Sequence, residues 1–160
     1  MKIVVIGDTH IQDESLDLPD LLKKELHTAD LIIHTGDIIS TAFLKALNAI
    51  KPVKAVAGNM DCMELKNLLN EREEINIGSF KLGLTHGHGA PEKVLENVKN
   101  MFDDSFDLVL FGHSHRPINQ KIGKTIFLNP GSPTDAIFAP YNSFGVITID
   151  KTIKAEIIKL

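Results

Sequence analysis

The chain has 160 residues, of which 43% are hydrophobic and 24% are charged, so we expect one globular domain over residues 1–160 with a sizeable core. The net charge of −4 provides no basic surface, which argues against binding nucleic acid through its phosphate backbone. A single cysteine, Cys62, excludes an intramolecular disulfide, and no apolar run is long enough for a membrane span or a signal-peptide core, so we expect a cytoplasmic protein without a membrane partner.

The first predicted strand ends in a pair of candidate metal ligands. Four β-branched apolar residues run from Ile3 to Ile6, a pattern typical of a strand covered on both faces. Asp8 and His10 follow, and side chains two apart in an extended backbone point to the same side. The alternative is that Asp8 caps a turn while His10 faces solvent, but the later motifs favour metal ligation.

A helix is predicted from Pro19 to Leu26, with proline in its first turn, where it is tolerated. His27 lies at the C-terminal end of this helix, and we expect it at the surface. Four leucines are expected on one side of the helix: Leu18, Leu21, Leu22 and Leu26.

The second predicted strand, Leu31 to Ile33, leads into another candidate ligand. Gly36 allows the backbone to approach closely whatever the next carboxylate binds. Asp37 is a candidate bridge between two ions. His34 precedes the turn, and we expect it to support the site from the core rather than to bind metal.

The third predicted strand, residues 53–57, is followed by Asn59, whose amide oxygen is a neutral hard ligand. A helix over residues 42–47, capped by Ser40 or Thr41, precedes this strand. Asp61 has capping-box spacing to Glu64, and we expect it to cap the next helix or to support the site. That helix is predicted over residues 61–69, with three leucines buried: Leu65, Leu68 and Leu69.

A hairpin is predicted over residues 73–84 with its turn at residues 78–79. Its second strand delivers His86 and His88, either of which could bind metal. A further helix is expected to begin at residues 90–92 and to end near Phe102.

The last candidate ligands are His113 and His115, which follow a short apolar strand at residues 107–111. Two neutral imidazoles that converge on one point suit a divalent metal. An isolated pair of this kind is usually two polar loop histidines. Here five strand ends carry oxygen or nitrogen ligands, and this recurrence favours a metal site.

The last third of the chain has a different pattern, since four segments alternate apolar and polar residues. They are residues 118–120, 125–128, 143–149 and 153–160, and we expect an antiparallel meander with a turn after Asn129. The fold class is therefore α/β (α+β). Two sheets are expected to pack face to face with helices outside, and the ligand loops should lie at the carboxyl ends of the helix-connected strands.

Together, the motifs resemble those of the calcineurin-like metallophosphoesterase superfamily between residue 3 and about residue 133. The short length and the turn at residues 129–132 make the chain similar to the small YfcE-like phosphodiesterase branch. The resemblance implies a four-layer αββα sandwich with two mixed β-sheets and a site for two divalent ions. It also implies that one ion is held by Asp8, His10, Asp37 and His115, and that Asp37 bridges to a second ion completed by Asn59, His86 and His113.

The chain departs from the family directly after the asparagine. Many members carry a histidine there that contacts the phosphate and gives the leaving group a proton, whereas this chain has Met60. Losing a positioned general acid commonly costs about 10²–10⁴-fold in rate. Either His88 supplies the proton, or the enzyme favours substrates with good leaving groups. The small branch itself often lacks that histidine.

The predicted function is metal-dependent hydrolysis of a small phosphodiester by a hydroxide that bridges the two ions, with Asp37 as the bridging protein ligand. Manganese is favoured, and nickel, iron, zinc and magnesium stay open. Met60, Asp61, His34 and Asn129 are expected around the ligands. The alternatives are a protein-interaction scaffold similar to the retromer's small subunit, or a phosphomonoesterase or nuclease with the same metals. A homo-oligomer is also possible.

Overall fold

Two five-stranded β-sheets pack face to face with helices on their outer surfaces in the computed structural model, which describes residues 1–160. None of the helices combines the length and apolar character needed to cross a membrane. In chain order the elements are β1 (Lys2–Ile6), α1 (Asp20–Thr28), β2 (Leu31–His34), α2 (Thr41–Ile50), β3 (Val53–Ala55), α3 (Met63–Leu68), β4 (Arg72–Ile77), β5 (Phe80–Thr85), α4 (Val94–Lys99), β6 (Leu108–Leu110), β7 (Ile118–Ile122), β8 (Thr125–Asn129), β9 (Ser143–Ile149) and β10 (Ile153–Lys159).

Each sheet combines parallel strands with antiparallel edges. The first sheet has the order β10-β9-β1-β2-β3, in which β1, β2 and β3 are parallel. The second has the order β4-β5-β6-β8-β7, in which β5, β6 and β8 are parallel. The prediction of two mixed sheets is confirmed.

The core is divided into three layers of apolar side chains, and β1 shows why. Its Val4 and Ile6 pack outward with residues of α1 and α2, including Leu22 and Phe43. The intervening Ile3 and Val5 face the second sheet and pack with leucines of β5 and β6. A third cluster joins α4 to the outer face of the second sheet. Successive side chains of a strand point to opposite faces, so a continuous apolar run fits a strand covered on both sides, and the four-layer αββα sandwich is confirmed.

The prediction of one meander in the last third was wrong. The hairpin of β7 and β8 belongs to the second sheet, where β8 lies parallel to β6. The hairpin of β9 and β10 belongs to the first sheet, where β9 lies antiparallel to β1. Alternating polarity identifies a strand with one wet face, but it does not identify the neighbouring strand.

Three helix predictions also need correction. Leu21 is exposed because the buried stripe of α1 is formed by Leu18, Leu22 and Leu26, which recur every four residues. The short α3 turns Leu65 inward and leaves Leu68 exposed, while Leu69 follows the helix and is half-buried. The helix predicted to begin near Pro91 begins only at Val94 and ends at Lys99.

Candidate metal centre

The seven predicted ligands lie in loops at the carboxyl ends of parallel strands, where the two sheets meet. In the first sheet, Asp8 and His10 follow β1, Asp37 follows β2 and Asn59 follows β3. In the second sheet, His86 follows β5, and the two remaining histidines follow β6. The backbone amide of His113 donates to the Asp8 carboxylate at 3.1 and 3.2 Å, which joins the two sets of loops.

Most of these loops turn through a strained backbone conformation at the candidate ligand itself. The non-glycine residues with positive φ are Asp8 (52°), His10 (51°), Asp37 (56°), Ile39 (65°), His113 (68°) and His115 (55°). A non-glycine residue in such a conformation costs of order 1–3 kcal/mol, and such residues cluster at functional sites. Five of these six residues are predicted ligands and Ile39 is not, while the remaining predicted ligands, Asn59 and His86, are not among them.

Asp37 lies between two groups of side chains. Its Oδ2 is 3.8 Å from Nε2 of His10 and 3.5 Å from Nε2 of His86. On one side, donor atoms of Asp8, His10 and His115 all lie within 4.8 Å of one another. On the other side, Nε2 of His86 is 3.0 Å from Oδ1 of Asn59. Asp8, Asp37 and His86 form a further group of the same kind, so Asp8 also approaches both sides.

The hydrogen bonds of the histidines determine which ring nitrogens face the centre. Nδ1 of His86 is 2.8 Å from the Thr35 carbonyl oxygen, and Nε2 of His113 is 2.9 Å from the Gly89 carbonyl oxygen. A carbonyl oxygen only accepts, so each of these nitrogens carries the hydrogen. In the neutral imidazoles, the opposite nitrogens present lone pairs.

Three lone pairs therefore converge on one point. Nδ1 of His113 lies 2.9 Å from Oδ1 of Asn59 and 3.3 Å from Nε2 of His86. On the other side of Asp37, Nε2 of His10 is buried and has no hydrogen-bond partner. Converging acceptors without donors repel each other unless a cation lies among them, and carboxylate, amide oxygen and imidazole together suit a divalent metal. The donor set fits the predicted ions.

The pKa shifts of the buried groups also indicate that positive charge stabilises the centre. Burial raises the pKa of Asp8 to about 6, although His86 and His115 oppose the shift. Burial acts to lower the pKa of His86, but the hydrogen bond to Asp37 and the charge of Asp8 outweigh it, so the net shift is upward. Burial alone would raise the pKa of Asp37, but its contacts with His86 outweigh burial and lower it. The carboxylates thus favour a second proton on Nε2 of His86, the atom that presents a lone pair in the neutral ring. A metal that binds at this nitrogen would displace that proton.

Asp61 does not cap α3, which excludes the first of the two roles expected for it. Its two carboxylate oxygens accept hydrogen bonds from the backbone amides of Ile39 and Gly58, each at 2.6 Å. The N-cap of α3 is Cys62, which makes no side-chain capping bond. Asp61 instead joins the loop after β2 to the loop after β3. A Cβ atom at Gly58 would lie 2.2 Å from Oδ1 of Asp37, so only glycine permits this close approach.

Asn129 and His34 also support the loops, as expected. Nδ2 of Asn129 donates to the Gly112 carbonyl oxygen at 2.8 Å and to Oγ of Ser114 at 3.0 Å. His34 is fully buried; its Nδ1 accepts from the Gly36 amide at 3.2 Å, and its Nε2 lies 3.0 Å from Oγ1 of Thr9. Both ring nitrogens of His34 are thus occupied within the protein.

His34 should make the stability of the protein depend on pH. Burial lowers its pKa from 6.5 to about 3. Below pH 6.5, His34 is therefore protonated in the unfolded chain but stays neutral in the folded chain. The contribution of His34 to the free energy of unfolding should then fall by roughly 1.4 kcal/mol per pH unit as pH decreases towards 3. Urea denaturation of metal-free protein between pH 4 and 7 measures this slope. His34→Gln should reduce it, whereas the same change at exposed His27 serves as the control; equal slopes in all three proteins would contradict the assignment.

Asp135 is a functional candidate that the sequence analysis missed. Its Oδ2 accepts a hydrogen bond from Nδ1 of His115 at 2.5 Å, which leaves Nε2 of that ring directed at Asp8, 3.5 Å away. A hydrogen bond of this kind orients a histidine ligand and raises its basicity. The run Ser132-Pro133-Thr134-Asp135 is a turn pattern, and Oγ of Ser132 accepts from the Asp135 amide at 3.0 Å. That pattern indicates a turn but not a contact with His115.

Replacing Asp135 by alanine should weaken metal binding by roughly tenfold to 100-fold, because His115 loses the partner that orients its ring. Competition with a fluorescent chelator measures the metal affinity. Asp103→Ala is the matched control, since Asp103 holds a comparable turn through the amide of Ser105. Metal affinity equal to that of the unchanged protein would contradict this role for Asp135.

A cavity of about 1130 Å³ opens over the centre. It is lined by several candidate ligands and by Met60, which is exposed and donates its backbone amide to Oδ1 of Asp37 at 2.7 Å. His88 does not line this cavity. It faces a smaller one of about 490 Å³, and its carbonyl oxygen accepts from the side chain of Asn97. The structure therefore does not bring the suggested proton donor His88 to the main cavity.

Comparisons with known proteins agree with this geometry. A model of the calcineurin-like phosphoesterase superfamily domain matches residues 1–152. The chain is 34% identical over 136 residues to a probable metallophosphoesterase of Methanothermobacter thermautotrophicus, covering 84% of this chain and 78% of that protein. It is 33% identical over 165 residues to a probable metallophosphoesterase of Methanocaldococcus jannaschii, covering 100% and 82%. Among solved structures, wild-type Vps29 of Entamoeba histolytica complexed with Zn²⁺ is similar, with a TM-score of 0.73 and 28% identity over 99% of each chain.

The matched region contains both sheets up to β9 and all of the loops that carry the candidate ligands. The match thus spans every motif that the sequence presents in order, and the structure brings those motifs to one place. The chain belongs to the calcineurin-like phosphoesterase superfamily.

Proposed function

We propose that this protein is a metal-dependent phosphodiesterase. The observation that carries the proposal is the convergence of lone pairs on both sides of Asp37, where the histidines direct their hydrogens outward to carbonyl or carboxylate oxygens and their free nitrogens inward. A merely structural cluster would be expected to pair these acceptors with donors. Membership in the phosphoesterase superfamily and the Zn²⁺ complex of the similar Vps29 support it.

Two groups of residues would hold the ions, with Asp37 shared between them. The first group is Asp8, His10, Asp37 and His115, and the second is Asp37, Asn59, His86 and His113. When bound, divalent ions lower the pKa of water and offset the negative charge of a phosphoryl group. Manganese suits the mixed oxygen and nitrogen donors, and iron, nickel, zinc or magnesium are the other ions to be tested.

The protein's own contribution is to fix the direction of every donor atom. The carbonyl oxygens of Thr35 and Gly89 fix two imidazole rings, and Asp135 fixes a third. Asp61 joins two of the ligand loops through paired amide hydrogen bonds. Such fixed orientation reduces the reorganisation that the reaction would otherwise require.

The charge around the cavity favours a diester over a monoester. Two divalent ions with the carboxylates of Asp8 and Asp37 and one hydroxide would leave a net charge of about +1, which one phosphodiester charge balances. No lysine or arginine lines the cavity to balance a further negative charge. A phosphodiester carries one negative charge, whereas a monoester carries close to two at neutral pH. A site for the more highly charged monoester would be expected to supply additional cationic side chains.

Initial rates with bis(4-nitrophenyl) phosphate and with 4-nitrophenyl phosphate test the proposal after the protein has been stripped of metal and reloaded with each ion in turn. The expected result is metal-dependent hydrolysis, strongest with manganese and faster for the diester. Metal-free protein that hydrolyses the diester as fast as the loaded protein would refute metal dependence. Faster hydrolysis of the monoester would refute the diester preference.

A protein-interaction scaffold is the second candidate. The similarity to Vps29 structures favours it, as do the exposed apolar side chains around the cavity. A scaffold would show no turnover with any ion or phosphate ester. The same substrate panel therefore distinguishes the two candidates.

A further inference from the structure

Three of the large exposed apolar side chains line the main cavity. Ile137 is 80% exposed, Phe138 71% and Met60 60%, and all three line the cavity that contains the candidate ligands. Other large exposed apolar residues, such as Leu68 and Tyr141, do not line it. Scattered exposed apolar residues need no explanation, but a group of them beside a polar centre marks a binding surface.

Phe138 has a fixed relation to the metal centre. The carboxylate of Asp135 accepts hydrogen bonds from the backbone amides of Ile137 at 2.8 Å, Phe138 at 3.1 Å and Ala139 at 2.9 Å. The same carboxylate holds His115. The rings of Phe138 and His115 meet edge to face, with centroids 6.1 Å apart. The apolar side chain of Phe138 therefore lies directly beside His115, a candidate metal ligand.

The charge of the cavity indicates what this apolar surface contacts. No lysine or arginine lines the cavity, while Asp13 and Asp17 do. A second phosphate or a carboxylate on the substrate would lie among these acids without a cationic partner, which is unfavourable. An uncharged ring would instead bury the exposed faces of Phe138, Ile137 and Met60.

We propose that Phe138, Ile137 and Met60 form a subsite for an uncharged planar ring that the substrate carries beside its phosphoryl group, either on an ester oxygen or through a sugar. This inference rests on the proposed function, and it narrows the substrate class to phosphodiesters that carry an aryl group or a nucleoside base. Diesters with small aliphatic groups or with further phosphates are poorer ligands for this site.

Binding of two non-hydrolysable anions tests the subsite directly. Diphenylphosphinate and dimethylphosphinate carry the same phosphinate group and differ in their rings. Titration calorimetry with manganese-loaded protein should show diphenylphosphinate binding about tenfold more tightly. Phe138→Ala should remove most of this preference and Phe138→Tyr should retain it, whereas Leu68→Ala, which changes an exposed apolar residue outside the cavity, should leave it unchanged.

Rates of hydrolysis provide a second test of the ring subsite. Phenyl 4-nitrophenyl phosphate and methyl 4-nitrophenyl phosphate share a leaving group, so the ratio of their kcat/KM values should also be about ten and should fall in Phe138→Ala. Hydrolysis of both at equal rates, or equal binding of the two phosphinates, would overturn the subsite and leave the hydrolase proposal standing. If neither ester is hydrolysed but diphenylphosphinate still binds more tightly than dimethylphosphinate, the proposed function is overturned and the subsite stands. A wild-type dimer that Phe138→Ala dissociates, together with equal phosphinate binding, would assign the surface to a second copy of the chain and overturn the inference.

Discussion

Replacing Asp37 by alanine is expected to lower metal-dependent phosphodiester turnover by at least about 1000-fold, because this residue stands between both groups of ligands. Its Oδ2 is within 4 Å of a histidine nitrogen on each side, and its Oδ1 accepts the Met60 amide. Initial rates and metal content of the purified variant measure the loss. The fold should persist, since Asp37 raises the cost of ionising buried Asp8 in the metal-free protein, and removing one of two like charges relieves that cost.

Asp107→Ala is the control for this experiment. Asp107 also accepts a backbone hydrogen bond, from the amide of Lys81 at 2.9 Å, but it lies away from the cavity. The control should retain full turnover and two bound ions. An Asp37→Ala variant that keeps more than about a tenth of the turnover would contradict the shared position of Asp37, because loss of a bridging ligand should cost several kcal/mol of transition-state stabilisation.

Introducing histidine in place of Met60 should raise turnover of diesters with poor leaving groups by roughly 100-fold, because it places a proton donor directly after Asn59. Met60 lines the cavity, its side chain is exposed, and its backbone is held by Asp37, so the new imidazole has room and a fixed starting point. A good leaving group departs without a proton. The rate for bis(4-nitrophenyl) phosphate should therefore not rise, since the change also removes one side chain of the proposed ring subsite, and comparison with an alkyl diester measures the difference.

Met63→His is the matched control for that variant. Met63 is also exposed, but it begins α3 and does not line the main cavity. Met63→His should change neither the rate for bis(4-nitrophenyl) phosphate nor the rate for the alkyl diester. An equal gain for both leaving groups would indicate a general effect on binding rather than proton donation, and no gain for the alkyl diester would show that another group already supplies the proton.

The fold and the candidate ligands were predictable because the relevant signals are local in the sequence. The apolar run of β1 is covered on both faces, as its composition indicated. Parallel strands place their carboxyl ends at one edge, so ligands after successive strands had to meet. Glycines marked the sharp turns, as at Gly36, where a Cβ atom would lie 2.6 Å from Nδ1 of His86.

The features that could not be predicted from the sequence depend on contacts between residues far apart in the chain. Asp135 lies 20 positions from His115 in a loop without a periodic pattern, so nothing nearby indicated its contact with that ring. The sequence leaves two roles open for Asp61, capping of a helix and support of the site, and only its distant contacts with the amides of Ile39 and Gly58 decide between them. The assignment of the last two hairpins to different sheets likewise depends on which strand edge each one meets.

The most direct measurement is anomalous X-ray diffraction at the manganese edge from crystals of the protein grown with manganese. Two peaks are predicted, one on each side of the Asp37 carboxylate, with Asp8, His10 and His115 around the first and Asn59, His86 and His113 around the second. A map with no peak among these side chains at saturating manganese would contradict the account.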